Sequence, residues 1–226
     1  MQTHSSTSAR RFDAALFDFD GTLADTLPLI TLSWNHALRP LVGRDFSLAE
    51  VVERFGPTDA VMIERELQGH SNQVIDRAVE EYFAHYEAAH DVVHAFDGIS
   101  EMLEEVRRAR FQMGLMTGKS RRAADITLRL LGWQNAFECV VTGDETSRPK
   151  PDPEGVLRVA RELNVEPARC IYVGDLPVDI LAGRAAGMST VAAGWNAYDQ
   201  AALQVEAPDF WANAPRDVNA MLNSRE

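Results

Sequence analysis

A chain of 226 residues has room for one medium domain, or for a core that carries a small insert. At 46% hydrophobic and 25% charged residues it has the composition of a soluble globular protein, and no stretch reaches the roughly 20 apolar residues of a membrane span. The net charge of −12 argues against nucleic acids and anionic membranes as partners, and it leaves an anionic substrate to be attracted by a few local cations.

The polar start, Met1 to Arg11, is followed by no apolar segment and reads as a solvated terminus rather than a targeting peptide. Ala14-Ala15-Leu16-Phe17 is a short apolar run stopping at Asp18-Phe19-Asp20-Gly21-Thr22, as a buried parallel strand does when it enters a turn. Leu27, Ile30, Trp34, Ala37, Leu38 and Leu41 follow helical spacing, with Asp25 or Thr26 as cap and Pro28 in the first turn. Val51-Val52, Val61 to Leu67 and Val74 to Tyr86 continue that pattern, so Leu27 to Asp91 is expected to hold helices and no strand. Further strand-like runs are Gln112 to Met116, Cys139 to Thr142, Cys170 to Val173 and Thr190 to Ala193, with a weaker one at Asp209 to Trp211. Helical stretches separate them at Ile99 to Ala109, Ser120 to Leu131 (stopped by Gly132), Pro153 to Leu163 and Val178 to Ala186.

Alternating strands and helices predict an α/β fold, a doubly wound parallel sheet with an inserted all-helical domain. The expected division is a Rossmann-like core from 1–26 and 92–226, and a helical cap at 27–91. Cys139 and Cys170 each border a strand-like run and read as buried free thiols. With no CxxC spacing, a reducing cytoplasm fits.

In such sheets ligands bind beyond the carboxyl ends of the strands. At the first end, Asp18 and Asp20 stand two apart, so both carboxylates face one way in extended backbone. They suit either a hard-cation site or a nucleophile beside an acid/base. The second end is Thr117-Gly118-Lys119-Ser120. It is no P-loop, because the first glycine of GxxxxGK[ST] would fall on Met113. Its hydroxyl and backbone amides suit an anion or an ordinary helix cap. The third end, Arg148-Pro149-Lys150-Pro151-Asp152-Pro153, fixes an ammonium group between prolines. Lys119 and Lys150 are the chain's two lysines, and each follows a strand. The fourth end, Gly174-Asp175-Leu176-Pro177-Val178-Asp179, offers two carboxylates that suit Mg²⁺ alongside Asp18 or, for Asp175, a helix cap.

Taken together, Asp18-Phe19-Asp20-Gly21-Thr22, Thr117, Lys150 and Gly174-Asp175-x-x-x-Asp179 resemble the four motifs of the haloacid dehalogenase superfamily. The resemblance spans about residues 13 to 195 and is strongest to phosphoglycolate phosphatase and its relatives. It implies a phosphatase in which Asp18 attacks phosphorus, Asp20 serves as acid and then base, and Thr117, the Gly118 amide and Lys150 hold the phosphoryl group. It also implies Mg²⁺ held by Asp18, the backbone carbonyl of Asp20, Asp175 and Asp179, the last directly or through water. An aspartate at position 20 departs from the dehalogenases, whose halide leaves without a proton. The segment 27–91 lacks the lysine a phosphonatase needs, and Thr22 replaces the bulkier residue usual in mutases of the β-phosphoglucomutase type. The expected partner is a small phosphorylated molecule, phosphoglycolate-like. A phosphomutase and a non-catalytic binding module are the alternatives. In the cap, Arg54 of Arg54-Phe55-Gly56-Pro57-Thr58 is a candidate for a substrate carboxylate, with Asn35 and His36 as further candidates and Trp34 as core. His90 and His94 lack the acidic or cysteine partners of a metal site.

Overall fold

A computed structural model describes residues 10–224, so the polar start up to residue 9 lies outside the described residues. Six strands, β1 (Ala14–Phe17), β2 (Gln112–Met116), β3 (Cys139–Val141), β4 (Cys170–Gly174), β5 (Ser189–Ala193) and β6 (Phe210–Ala212), form one parallel sheet. The spatial order is β3-β2-β1-β4-β5-β6.

Burial on both faces explains why the strands read as unbroken apolar runs. Ala15 and Phe17 point into one layer with Leu115 and Val173, whereas Ala14 and Leu16 point into the other with Val141 and Tyr172. The first layer is covered by α5 (Ile99–Arg108), α6 (Arg121–Leu130) and α10 (Pro215–Leu222). On α5 the buried residues are Ile99, Met102, Leu103 and Val106, one stripe of an amphipathic helix. The second layer is covered by α7 (Glu154–Glu162), with α8 (Pro177–Ala185) over β4 and β5. Short α9 (Gln200–Val205) and α10 were not foreseen in the sequence.

Between β1 and α5 lie α1 (Leu27–Val42), α2 (Leu48–Val52), α3 (Asp59–Glu66) and α4 (Asn72–Ala88), with no strand among them. α1 packs chiefly on α4. Trp34 stands edge-on to Phe46, their ring centres 5.9 Å apart. Asn35 pins the Phe46 backbone on both sides, donating to its carbonyl at 2.9 Å and accepting from its N–H at 2.7 Å. The chain enters and leaves this insert side by side: Ala24 pairs with Ala95, and the Asp25 N–H donates to the His94 carbonyl at 3.0 Å. Thr26 occupies the cap position of α1 but makes no cap bond, because its hydroxyl donates to Asp20 instead. His90 is buried against the Thr127 hydroxyl at 3.1 Å, a packing role. No helix of the described residues is long and apolar enough to cross a membrane.

Candidate active site

The sheet register aligns the strand ends. Phe17 is level with Leu115 and Val173, and Met116 with Val141. Asp18, Thr117 and Asp175 therefore emerge along one edge, where the strand order reverses between β1 and β4.

Asp18, held by its N–H to the Val173 carbonyl at 2.9 Å, is buried, and its Oδ1 lies 2.9 Å from Lys150 Nζ. Lys150 also meets Asp179 Oδ1 at 2.6 Å. Asp179 is fully buried and accepts from the Leu176 N–H at 3.0 Å and the Tyr172 hydroxyl at 3.2 Å. Asp175 accepts from the Thr22 hydroxyl at 2.7 Å. That bond links the fourth strand end to the turn after Asp20. The turn is tight at Gly21, whose φ of +80° is left-handed and whose absent Cβ would fall 2.3 Å from Asp175 Oδ2.

Oxygens of Asp18, Asp175 and Asp179 can all lie within 4.8 Å of one another. Burial pushes Asp18 up to about 7, with Asp179 and Asp20 adding to the effect and Lys150 opposing it. Burial likewise holds Asp175 well above the carboxylate range, reinforced by Asp179 and Asp18. Lys150 behaves oppositely: burial works against its charge, but Asp179 and Asp18 outweigh it and keep the amine firmly protonated.

Asp20 belongs to a different pair. Lys119 Nζ sits 2.7 Å from its Oδ1 and 5.0 Å from the centre of the Tyr86 ring, with only 2% of the lysine side chain exposed. Burial opposes the Lys119 charge, yet Asp20, Tyr86 and Asp59 raise its pKa above that of an ordinary lysine. Thr117 is buried and accepts the Lys119 N–H at 3.2 Å, while Ser120 caps α6 by accepting the Ala123 N–H at 3.3 Å.

Asp18, Asp20, Thr117, Lys119 and Lys150 form the floor of a cleft of about 320 Å³ between the sheet edge and the insert. Gly118 lines it too. The insert contributes Ile30, Val52, Phe55, Met62 and Asp59. Asp59 bridges the two sides: its Oδ2 accepts the Ser120 N–H (3.1 Å) and hydroxyl (2.9 Å), and its Oδ1 accepts the Tyr82 hydroxyl (2.8 Å).

Residues 15–193 match the family model described as haloacid dehalogenase-like hydrolase. The chain belongs to that family. It is an enzyme, a hydrolase. The pyrophosphatase PpaX of Bacillus velezensis is 32% identical to it over 210 residues, spanning 92% of this chain and 95% of the relative. A structure described as a predicted phosphoglycolate phosphatase from Haemophilus somnus 129pt has the same fold, with TM-score 0.82 and 21% identity over 93% of this chain and 98% of that one. CbbY from Rhodobacter sphaeroides, in complex with phosphate, gives TM-score 0.77 at 22% identity over 92% and 96% of the two chains.

For a haloacid dehalogenase-like hydrolase, the donor set suits a divalent cation. Asp18, Asp175 and Asp179 are hard oxygen donors, and together with Asp20 they set four carboxyl groups against two ammonium groups. One divalent ion would balance that excess. Asp20's carboxylate stands apart from this trio, bound to Lys119 and Thr26.

The expectation for Arg54 meets a different geometry. Its Nε is 2.8 Å from Glu66, its NH1 donates to the Glu50 carbonyl, its guanidinium covers the Phe46 ring, and it is not among the residues lining the cleft. Glu66, one helix further on, takes the charge that a substrate carboxylate was expected to meet. His36 stacks on His85 with ring centres 4.3 Å apart, away from the cleft lining. Sequence reasoning noticed Lys119 but assigned it no role, and it missed Asp59. The rarity of lysine was the signal for the first. Nothing in the sequence signals the second, whose partner lies 61 residues away.

Proposed function

We propose that this haloacid dehalogenase-like hydrolase is a Mg²⁺-dependent phosphatase that cleaves small phosphomonoesters through a phosphoaspartate on Asp18. The observation that carries the reading is the Asp18 carboxylate, buried beside Lys150 and within reach of Asp175 and Asp179 at the floor of a cleft. A cation held by Asp18, Asp175, Asp179 and the Asp20 carbonyl would supply charge neutralisation for an aspartate approaching a phosphate dianion.

Within that frame an Asp18 oxygen attacks phosphorus and the bond to the leaving oxygen breaks, while Asp20 gives its proton to the departing alkoxide. Asp20 then takes a proton from water, the resulting hydroxide attacks phosphorus, and the bond to Asp18 breaks to release inorganic phosphate. Thr117, the Gly118 amide and Lys150 hold the phosphoryl oxygens. Lys119 and Thr26 fix the rotamer of Asp20. Residues 27–91 act as the cap that closes the cleft. Two buried free thiols, Cys139 and Cys170, support a cytoplasmic setting.

The test is phosphate release from a panel of phosphorylated compounds, with and without Mg²⁺, for the wild type and Asp18→Asn. The names of the relatives make phosphoglycolate and pyrophosphate the first compounds to offer. Release should require Mg²⁺ and fall about 10³-fold or more in Asp18→Asn. Activity persisting in that variant would end the covalent reading, and absence of Mg²⁺-dependent release would end the phosphatase reading.

A further inference from the structure

Beyond the phosphoryl site the walls of the cleft are mainly hydrocarbon. On the insert side Ile30, Val52, Phe55, Pro57 and Met62 line it with Gly56 and Asp59, and Leu176, Pro177 and Val178 line it from the loop and helix after β4. Among the described residues two cations line the cleft, and both are engaged at its floor, Lys119 by Asp20 and Lys150 by Asp18 and Asp179. The charged group that the insert does offer is a carboxylate, Asp59, its oxygens already accepting from Ser120 and Tyr82. Arg54, which sequence order brings close, is tied to Glu66 and the Glu50 carbonyl.

A leaving group with a second negative charge would enter this space without a partner and opposite a fixed carboxylate. Stripping water from an unpaired anion is strongly unfavourable. A polyol would face the same walls with hydroxyls left unbonded, at a smaller cost each. An alkyl or aryl group loses nothing and gains burial. At about 320 Å³ the cleft is at the lower end of the roughly 300–1,000 Å³ of small-molecule sites, so the group is small. The geometry points to the phosphomonoester of a small, uncharged, mainly hydrocarbon alcohol or phenol as the substrate class. Phosphoglycolate, pyrophosphate and bisphosphates are poor fits. The inference rests on the phosphatase reading above and narrows it.

Two matched pairs test it with the full chain and Mg²⁺. Phenyl phosphate is set against 4-carboxyphenyl phosphate, whose phenol is the better leaving group, so chemistry alone would favour the charged member. Propyl phosphate is set against glycerol 3-phosphate, which adds two hydroxyls to the same carbon chain. Phosphoglycolate and pyrophosphate complete the panel. We expect kcat/KM to favour phenyl over 4-carboxyphenyl phosphate, and propyl over glycerol phosphate, by about tenfold or more. Met62→Lys, which puts an ammonium group in the wall, should narrow the first gap by improving the charged member. Val52→Lys, at a half-buried position, makes the same test if Met62→Lys fails to fold. Equal or better turnover of the charged or hydroxylated compounds overturns the substrate class while leaving the phosphatase reading standing. So does a gap unmoved in a folded lysine variant. No Mg²⁺-dependent release from any compound overturns both.

Discussion

Each of the chain's two lysines is buried against a different aspartate, Lys150 on Asp18 and Lys119 on Asp20. Surface ion pairs contribute little, but a pair this deep positions its partners and leaves a buried charge when broken. Lys119→Met keeps the volume and removes the contact to Asp20. If Lys119 acts by orienting the proton donor, kcat on an alkyl phosphate should fall about 10²-fold, because positioned acid catalysis supplies that much. On 4-nitrophenyl phosphate, whose leaving group needs no proton, the loss should be several-fold smaller. Equal losses would assign Lys119 to the phosphoryl group instead. Gly21 tests the neighbouring turn. An alanine there meets a left-handed φ and a Cβ 2.3 Å from Asp175 Oδ2, so either the turn or Asp175 must move. Gly21→Ala should lower stability by about 1–3 kcal/mol in a denaturant titration and weaken Mg²⁺ activation, read as a higher Mg²⁺ concentration at half-maximal rate.

At the scale of elements, one of the contacts that join insert to core is Asp59 at the first turn of α3, set on the start of α6. It satisfies the buried Ser120 N–H and hydroxyl, and the Tyr82 hydroxyl from α4. Asp59→Ala would leave these buried groups unbonded and lower stability by about 1–3 kcal/mol. It should also raise KM more than it lowers kcat, since Asp59 touches the walls rather than the reacting atoms. Faster amide exchange at the start of α6 would confirm the loosened junction; unchanged exchange with an unchanged KM would remove this role. None of this was legible beforehand. Helical spacing reported that α3 and α4 exist, but pairings across helices depend on how the insert folds back. Arg54 shows the same limit, because Glu66 reaches it only once α2 and α3 are packed. Thr26, read as a cap, sits where a cap belongs and spends its hydroxyl on Asp20.

For the whole molecule, the sheet and the edge that carries the site were legible because buried parallel strands are apolar until they stop. β1 and β2 begin and end where their apolar runs do, and the polar residues after each run are the ones that meet. The fold's charge economy then sets its response to pH. Asp18, pushed up to about 7 mainly by burial, titrates near 3.9 in the unfolded chain. A raised carboxyl favours the protonated fold, so its contribution is full below the unfolded value and is lost as pH rises through about 7. Asp175, raised in the same direction, adds to that loss. His85 and His90 act on the other side: burial lowers both, so stability is lost as pH falls below the roughly 6.5 of unfolded histidine. In protein held in EDTA, Asp18 should therefore cost melting temperature as pH rises from about 4 to about 7 and little beyond that, each kcal/mol appearing as about 2–4 °C. Mg²⁺ and protons compete for Asp18, so the rise in melting temperature on adding Mg²⁺ should grow between pH 6 and pH 8. Asp18→Asn should remove the Asp18 share of the loss between about pH 4 and 7 in EDTA and shrink the Mg²⁺ increment together. A wild-type increment that stays constant across this range would detach the cation from Asp18 and return the trio of carboxylates to a purely structural role.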